Sequence, residues 1–530
     1  MASLTFFQEA IKRLSEGDID AAHQALLAIW KSGGSDAAQA AQFIAHIAEK
    51  ERRFNDAIHI LESSLEKLGK DAGTLAQLSE LYMTVGNLHK AIEAATLSLD
   101  EAPHNAVTAL NRAIWQSNYE EHPLKIKKAF EQWCARYLQP ASSNTPLQTS
   151  AQQESTAGSR PLRVGYVSGD LGNHPVRYLI EPYLRLHDAS QFEIHTFMTS
   201  EEDEVSQFLK AWVPHWHNVA ALDNDAFLSL IRSLEIDILV DLSGHTEASK
   251  LEVFAARAAP VQVTWWGFVH TLGIEEIDYR LTDFETCPVG TEAHYTEALC
   301  RMTCLTAYAP PVNCEDQYPS PWQRNGYVTM ISLNHTRKLS QNALACWRDI
   351  LVQNPNSGLI VVTSEVTEAD SHNHFKSRLV DHGFPMARVS LVPRLSMLEY
   401  MNVASVADFA LDSFPVSGGV TTLHALWMGL PVLTMTPETT IAMQTYSGNT
   451  LRLVGLHDCV TGSNQEVVAR AAEWIRNPAL IDELRQRTRS KLVASPFMNH
   501  EERVRELETC FREMWRRFLH NEPVTHLSVR

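Results

Sequence analysis

Over the first hundred residues apolar side chains return every three or four positions, the spacing of one face of an α-helix. A longer period is laid over this one. The small residue Ala22 recurs as Ala57 and Ala91, at intervals of 35 and then 34 residues, within the related segments EGDIDAAHQAL, ERRFNDAIHIL and VGNLHKAIEAA. Counting back from Pro103, the third unit places Leu75, Leu78, Tyr82, Gly86 and Ala91 at fixed offsets. Small residues at such offsets let two antiparallel helices approach, and neighbouring pairs then stack into a solenoid. Residues 107–138 continue as helix, ending in PLKIKKAFEQWCARYL.

The stretch QPASSNTPLQTSAQQESTAGSR has almost nothing to bury and reads as a linker or disordered insertion. Beyond it the pattern changes. LRVGYVS, FEIHTFMTS, DILVDLSG and VQVTWWGF are short apolar runs of buried-strand type, with helical periods such as PVRYLIEPYLRLH and DAFLSLIRSLE between them. A second series begins at Tyr327 with YVTMISL, LIVVTSE, RVSLVP, FALDSF and PVLTM, and the chain closes on long helices. Alternation of this kind predicts two doubly wound parallel sheets in tandem, with a cleft at their carboxyl ends. The expected domains are residues 1–138 (helical repeats), 139–160 (linker), 161–322 (first lobe) and 323–530 (second lobe with closing helices).

A net charge of −18 over 530 residues argues against a surface for nucleic acid or anionic lipid, since both need concentrated Lys and Arg. No stretch approaches the roughly 18 uncharged apolar residues of a membrane span. Glu9, Lys12 and Arg13 interrupt what a signal peptide would keep apolar, so the N-terminus reads as an amphipathic helix. Eight scattered cysteines fit a reducing cytoplasm. Cys287, Cys300, Cys304 and Cys314 lack the paired short spacings of a zinc site, and buried thiols are the better reading.

Three segments could carry chemistry. In VGYVSGDLGNHPVRYLI a strand runs into a glycine loop, so Asp170 and His174 fall at the strand's carboxyl end, where a histidine can exchange a proton near neutral pH. Capping by Asn173 or His174 is the plainer alternative. In NHTRKLS, Lys338 lies just past a strand and can neutralise a diphosphate as a point charge. In FALDSFPVSGGVTTLHALWMG a helix opens near Thr421 and Thr422 behind Gly418 and Gly419, and its unpaired amides favour an anion. Asp223 and Asp225 precede a helix and suit capping better than metal binding, and at least one of Trp265 and Trp266 belongs in the core. His245, at another strand end, is a cleft candidate.

RVGYVSGDLGNHP, DILVDLSGHT, RAAPVQVTWWGF, IDYRLTD and ALWMGLPVLTM resemble, in that order, the catalytic region of the O-GlcNAc transferase and SPINDLY-like family, glycosyltransferase family 41. The likeness runs from about Leu162 to about residue 515, and the repeats before it follow the tetratricopeptide pattern that this family carries. It implies a tetratricopeptide solenoid followed by a GT-B-type pair of Rossmann-like lobes. It also implies a metal-independent, inverting transferase moving a sugar, GlcNAc or a hexose, from a nucleoside diphosphate, UDP above all, to Ser, Thr or Asn of a protein. No cofactor or metal is implied. The acceptor protein would lie along the repeats, and a homo-oligomer is left open.

By the same resemblance the family's cleft histidine falls on His174 and its phosphate-binding lysine on Lys338. Asn334 and His335 stand where the family has an Asn-Gln pair, and its helix-start threonines fall near Val420 and Thr421. Departures accompany these matches. The family's Gly-Tyr-Pro-Gly-Thr loop is here Gly267, Phe268, Val269, His270 and Thr271, of which His270 and Thr271 are cleft candidates, and His424 replaces the aspartate expected at the ribose. The Arg after PETT has no clear counterpart. A degenerate transferase acting as a repeat-based scaffold, and a transferase with a glycan acceptor, are the alternative readings.

Overall fold

Small residues at the periodic positions let the N-terminal helices pair. In the computed structural model, which describes residues 2–147, 160–314, 319–363 and 371–529, α1 (Ala2–Ser15) and α2 (Ile19–Ser32) form the first hairpin. α3 (Ala37–Lys50) and α4 (Phe54–Leu68), α5 (Ala72–Thr84) and α6 (Leu88–Glu101), and α7 (Ala106–Ser117) and α8 (Pro123–Tyr137) follow. Ala22, Ala57 and Ala91 each sit fully buried on the second helix of a hairpin. Asp18, Asp71, Asn87 and Asn105 accept first-turn amides and fix where four of the helices begin. The helical stretch expected over 107–138 is two helices. They part before Pro123, whose ring fits a first turn and not an interior.

Residues 139–147 lie along the first lobe, with the Ala141 amide donating to the Glu252 carbonyl at 2.9 Å and the Ser142 amide to Asp225 at 2.7 Å. The rest of the expected linker, 148–159, is outside the described residues.

The first lobe contributes β1 (Leu162–Ser168), β2 (Phe192–Met198), β3 (His215–Asn218), β4 (Ile238–Asp241), β5 (Val261–Thr264), β6 (Tyr279–Asp283) and β7 (Ala298–Met302). The second contributes β8 (Val328–Ser332), β9 (Ser357–Val362), β10 (Val389–Val392), β11 (Phe409–Leu411), β12 (Val432–Met435) and β13 (Val460–Thr461). Every described pairing is parallel. The sheet orders are β7-β6-β5-β4-β1-β2-β3 and β10-β9-β8-β11-β12-β13. Each order reverses once, between β1 and β4 and between β8 and β11. At such a switch point neighbouring loops diverge to opposite faces and leave a crevice for a ligand.

One boundary differs from the expected domains. The closing helix His500–Leu519 leaves the second lobe and lies against the helix Arg177–Leu186 of the first. Its Glu508 accepts the Asp188 amide at 2.8 Å and meets His187 Nδ1 at 3.1 Å. β14 (Leu527–Ser528) then adds to the first sheet beside β7. The amphipathic pattern of that helix predicts a buried face, and which lobe buries it is a tertiary outcome. The outgoing and returning segments meet at Tyr308, whose amide donates to the Phe497 carbonyl and whose carbonyl accepts from His500 Nε2, both at 2.8 Å.

Candidate active site

The second lobe gathers its polar residues at the β8/β11 switch point. β8 and β11 are neighbours, so the residues just past their ends lie side by side: Asn334 Nδ2 donates to Asp412 Oδ1 at 2.8 Å. The same oxygen accepts the Gly418 amide at 2.9 Å, and Thr434 of β12 donates to Oδ2 at 2.7 Å. Thr421 Oγ1 closes the ring onto Asn334 Oδ1 at 3.1 Å. A buried carboxylate thus knots two loops and the start of the helix Val420–Trp427. A side chain at position 418 would stand 2.6 Å from Thr422 Oγ1 and 2.8 Å from Asp412, which only glycine avoids.

Lys338 enters this turn from the β8 side, its Nζ donating to the Ser417 carbonyl at 3.4 Å. Burial lowers its pKa, the Asp412 carboxylate raises it, and Arg337 lowers it further. Gly419 holds the N-cap with no side chain to bond the first amides, and Val420 and Thr421 are half-buried at the opening. An ammonium and an uncapped helix start therefore meet at one turn, an arrangement complementary to a pyrophosphate. His335 caps the short turn Thr336–Lys338. Burial pushes its imidazole down to about 4, and Arg337, Lys338 and Arg394 add repulsion. Thr422 is turned inward, its hydroxyl 2.9 Å from that of Ser447.

In the first lobe the loop after β1 is held from outside. Asp203 accepts the Asn173 amide at 2.7 Å while capping its own helix, Glu204–Lys210. Beyond that anchor His174 is about half exposed, with Nδ1 3.7 Å from Asp170 Oδ1 and accepting the Val176 amide at 3.4 Å. Burial raises the Asp170 carboxyl, with His174 pulling the other way. One turn on, Tyr178 meets His424 edge-on with ring centroids 4.8 Å apart, so the helix behind the His174 loop abuts the helix behind the Gly418 turn.

Four sequence candidates are placed differently. His424 offers no open face to a nucleotide. Its Nδ1 is 2.7 Å from the Tyr308 hydroxyl, Tyr178 and Tyr400 flank the ring, and burial drives its pKa to about 3. His245, His270 and Thr271 do lie beyond strand ends, but α8 covers them. His245 stacks on Phe130 at 5.1 Å and donates from Nε2 to the Leu272 carbonyl at 2.8 Å. His270 also stacks with Phe130, centroids 6.1 Å apart, and Thr271 donates to Glu297 at 2.7 Å. They form the repeat-to-lobe junction and not an open cleft. The sequence could not show this, because strand-end position says nothing about what a separate domain lays on top. Asp223 caps its helix through the Ala226 amide, and Trp265 and Trp266 are both in the core.

Sequence reasoning passed over Arg394 and Arg378. Arg394 stands just past β10, and a lone cation beyond a strand end in an acidic chain was the available signal. Arg378 helps line a cavity of about 880 Å³ between the repeats and the second lobe, bordered also by Gly86, Asn87, His89, Tyr119 and Ser340. Gly86 lies against Arg378 and the backbone of Arg337, so the cavity borders the Lys338 loop.

Paired Rossmann-type sheets with a polar loop at each switch point define the two-lobed architecture of nucleotide-sugar transferases. The profile of Glycosyl transferase family 41 matches residues 131–308 and 310–507, and the chain belongs to that family. It is 33% identical over 401 residues to the probable UDP-N-acetylglucosamine–peptide N-acetylglucosaminyltransferase SPINDLY of Oryza sativa subsp. japonica, covering 74% of this chain and 42% of that protein. It is 26% identical over 385 residues to the SEC protein of Arabidopsis thaliana, which bears the same enzyme description, covering 70% and 39%. The chain thus spans less than half the length of these curated relatives. Among solved structures, a point mutant of the Thermobaculum terrenum O-GlcNAc transferase matches with a TM-score of 0.82 at 26% identity, covering 98% of both chains.

Proposed function

We propose that this chain is an inverting, metal-independent glycosyltransferase that moves a sugar from a UDP-sugar to a Ser, Thr or Asn side chain of a protein. The convergence of Lys338 with the uncapped helix start at Val420 and Thr421 carries the reading. When the glycosidic bond breaks, negative charge grows on the diphosphate, and fixed positive groups lower the barrier by binding that charge more strongly than the ground state. Lys338 and the helix start neutralise the leaving group in the role a divalent cation otherwise plays, with Arg394 and Arg337 adding to the local field.

His174 orients or deprotonates the acceptor side chain, with Asp170 beside it to favour the imidazolium that results. Inversion follows from a single displacement, with the acceptor attacking opposite the diphosphate. The acceptor chain approaches along the cavity between the repeats and the second lobe. The names of the relatives favour GlcNAc as the sugar and a peptide as its acceptor.

The test is incubation of the full chain with UDP-GlcNAc, UDP-hexoses and GDP-sugars in excess EDTA, beside candidate acceptor proteins. Mass spectrometry reads the added sugar, and NMR reads its anomeric configuration. Transfer with inversion in EDTA supports the proposal. Transfer that requires a divalent cation, retention of configuration, or no nucleotide binding at about millimolar concentration overturns it.

A further inference from the structure

On the outer edge of the first sheet, two adjacent strands present metal-ligand side chains at the same level. Alternate residues of a strand share a face, so Glu193 and His195 of β2 point the same way, as do His215 and His217 of β3. The parallel register sets His195 against His215 and Phe197 against His217. The His195 and His215 rings stack with centroids 4.5 Å apart and 14° between planes. Ligand atoms of Glu193, His195 and His215 all lie within 4.8 Å of one another.

We propose that Glu193, His195 and His215 form a binding site for a divalent transition-metal ion of zinc type, separate from the transfer site. Two imidazoles and a carboxylate are the donor set such an ion takes in a tetrahedral shell with one position left for water. His195 Nε2 donates to Glu193 Oε1 at 2.9 Å, and its Nδ1 is 3.2 Å from His217 Nε2. An incoming ion would displace the Nε2 proton, and Nδ1 could then carry the ring's proton and donate it to His217. A ligating histidine whose second ring nitrogen donates to a fixed acceptor is the usual way a protein orients this ligand.

Ligand atoms of a tetrahedral zinc shell stand about 3.3 Å apart, given bonds of about 2.0–2.1 Å. His195 is buried and fixed, whereas His215 is exposed and can swing the remaining distance. Arg163 Nε also reaches Glu193 Oε1, at 3.2 Å, and leaves the second carboxylate oxygen for the ion. Bound there, the ion would tie edge strand β3, which among the described residues pairs with β2 alone, to that neighbour.

The site is tested on the full chain without an affinity tag, stripped with EDTA and dialysed, by calorimetric titration with zinc chloride. One ion per chain at micromolar or tighter Kd is expected, with a rise in thermal midpoint. His215→Ala, an exposed change that leaves the sheet intact, is expected to weaken binding by about tenfold or more. Glu193→Gln provides the second arm, since it keeps the shape and removes the charge, and it should weaken binding as well. Cobalt substitution should give the visible absorption of a four-coordinate ion in the wild type and not in His215→Ala. Wild-type binding weaker than about 100 µM, or zinc held equally well by both variants, overturns the assignment.

Discussion

Asn334 and Asp412 stand side by side past the ends of two neighbouring strands, the amide donating to the carboxylate across 2.8 Å. Through that contact the loop carrying Lys338 and the loop carrying Gly418 share one buried anchor. Burial raises the Asp412 pKa, and hydrogen bonds from Thr434, Ser447, Asn334 and Gly418 pull it back. Neither loop could drift without leaving one of those donors unpaired, so the positions of the ammonium and of the helix start are fixed relative to each other before any ligand arrives.

Lys338→Ala is expected to lower the transfer rate by about 10²–10³-fold, the usual effect of deleting one fixed stabiliser of a developing anion. Its Nζ makes one long hydrogen bond, so the thermal midpoint should shift little. Turnover and melting measured on the same preparation separate the two effects, and a variant that transfers at the wild-type rate would remove Lys338 from the mechanism.

Gly418→Ala places a methyl group 2.6 Å from Thr422 Oγ1 and 2.8 Å from Asp412 Oδ1. The turn must move, at a cost of about 1–3 kcal/mol. Nucleotide affinity should fall by about tenfold or more, because the amides at the helix start move with it. Calorimetry with UDP checks the affinity, and urea unfolding checks the stability.

Phe130 is fully buried under His245, Phe268 and His270, where α8 meets the first lobe. Phe130→Ala should cost about 3–5 kcal/mol. The repeats should loosen from the lobe, which limited proteolysis near residues 118–122 would detect. Unchanged urea midpoints and cleavage patterns would show that the two parts are held together elsewhere.

Burial holds His245 at about 4 and His270 at about 3, against an ordinary 6.5. Between those values the unfolded chain binds protons that the native chain does not, so stability falls as pH falls. The loss begins near 6.5 and continues to the folded values. From about pH 7 to about pH 5 each buried imidazole contributes roughly 2 kcal/mol of this loss. His270→Leu should reduce the slope of unfolding free energy against pH. An unchanged slope would mean that His270 is already protonated in the native state.

Much of this was legible in the chain. Ala22, Ala57 and Ala91 announced the hairpins because a helix pair needs a small residue at its closest approach, and the apolar run LRVGYVS is β1 residue for residue. Lys338 and Gly418 could be placed in one lobe from sequence because each follows a strand of the second series, whereas the adjacency of β8 and β11 is a tertiary outcome. Short strands with charged or polar members were missed. HWHN, which is β3, lies at an edge where half the positions meet solvent, so it lacks the apolar signature of a central strand. The enclosure of His424 is illegible for a different reason. Its position in a helix was readable, whereas Tyr178 and Tyr308, which enclose it, arrive from another lobe and more than a hundred residues away in sequence.

The meeting of the two connecting segments at Tyr308 has a mechanical result. Two attachments set far apart would clamp the lobes, and a single one would let them tumble. Here the two connections are stitched together at one place, so a rotation of one lobe against the other would turn there. Tyr308 stands at that pin, and its hydroxyl, 2.7 Å from His424 Nδ1, would register the angle between the lobes.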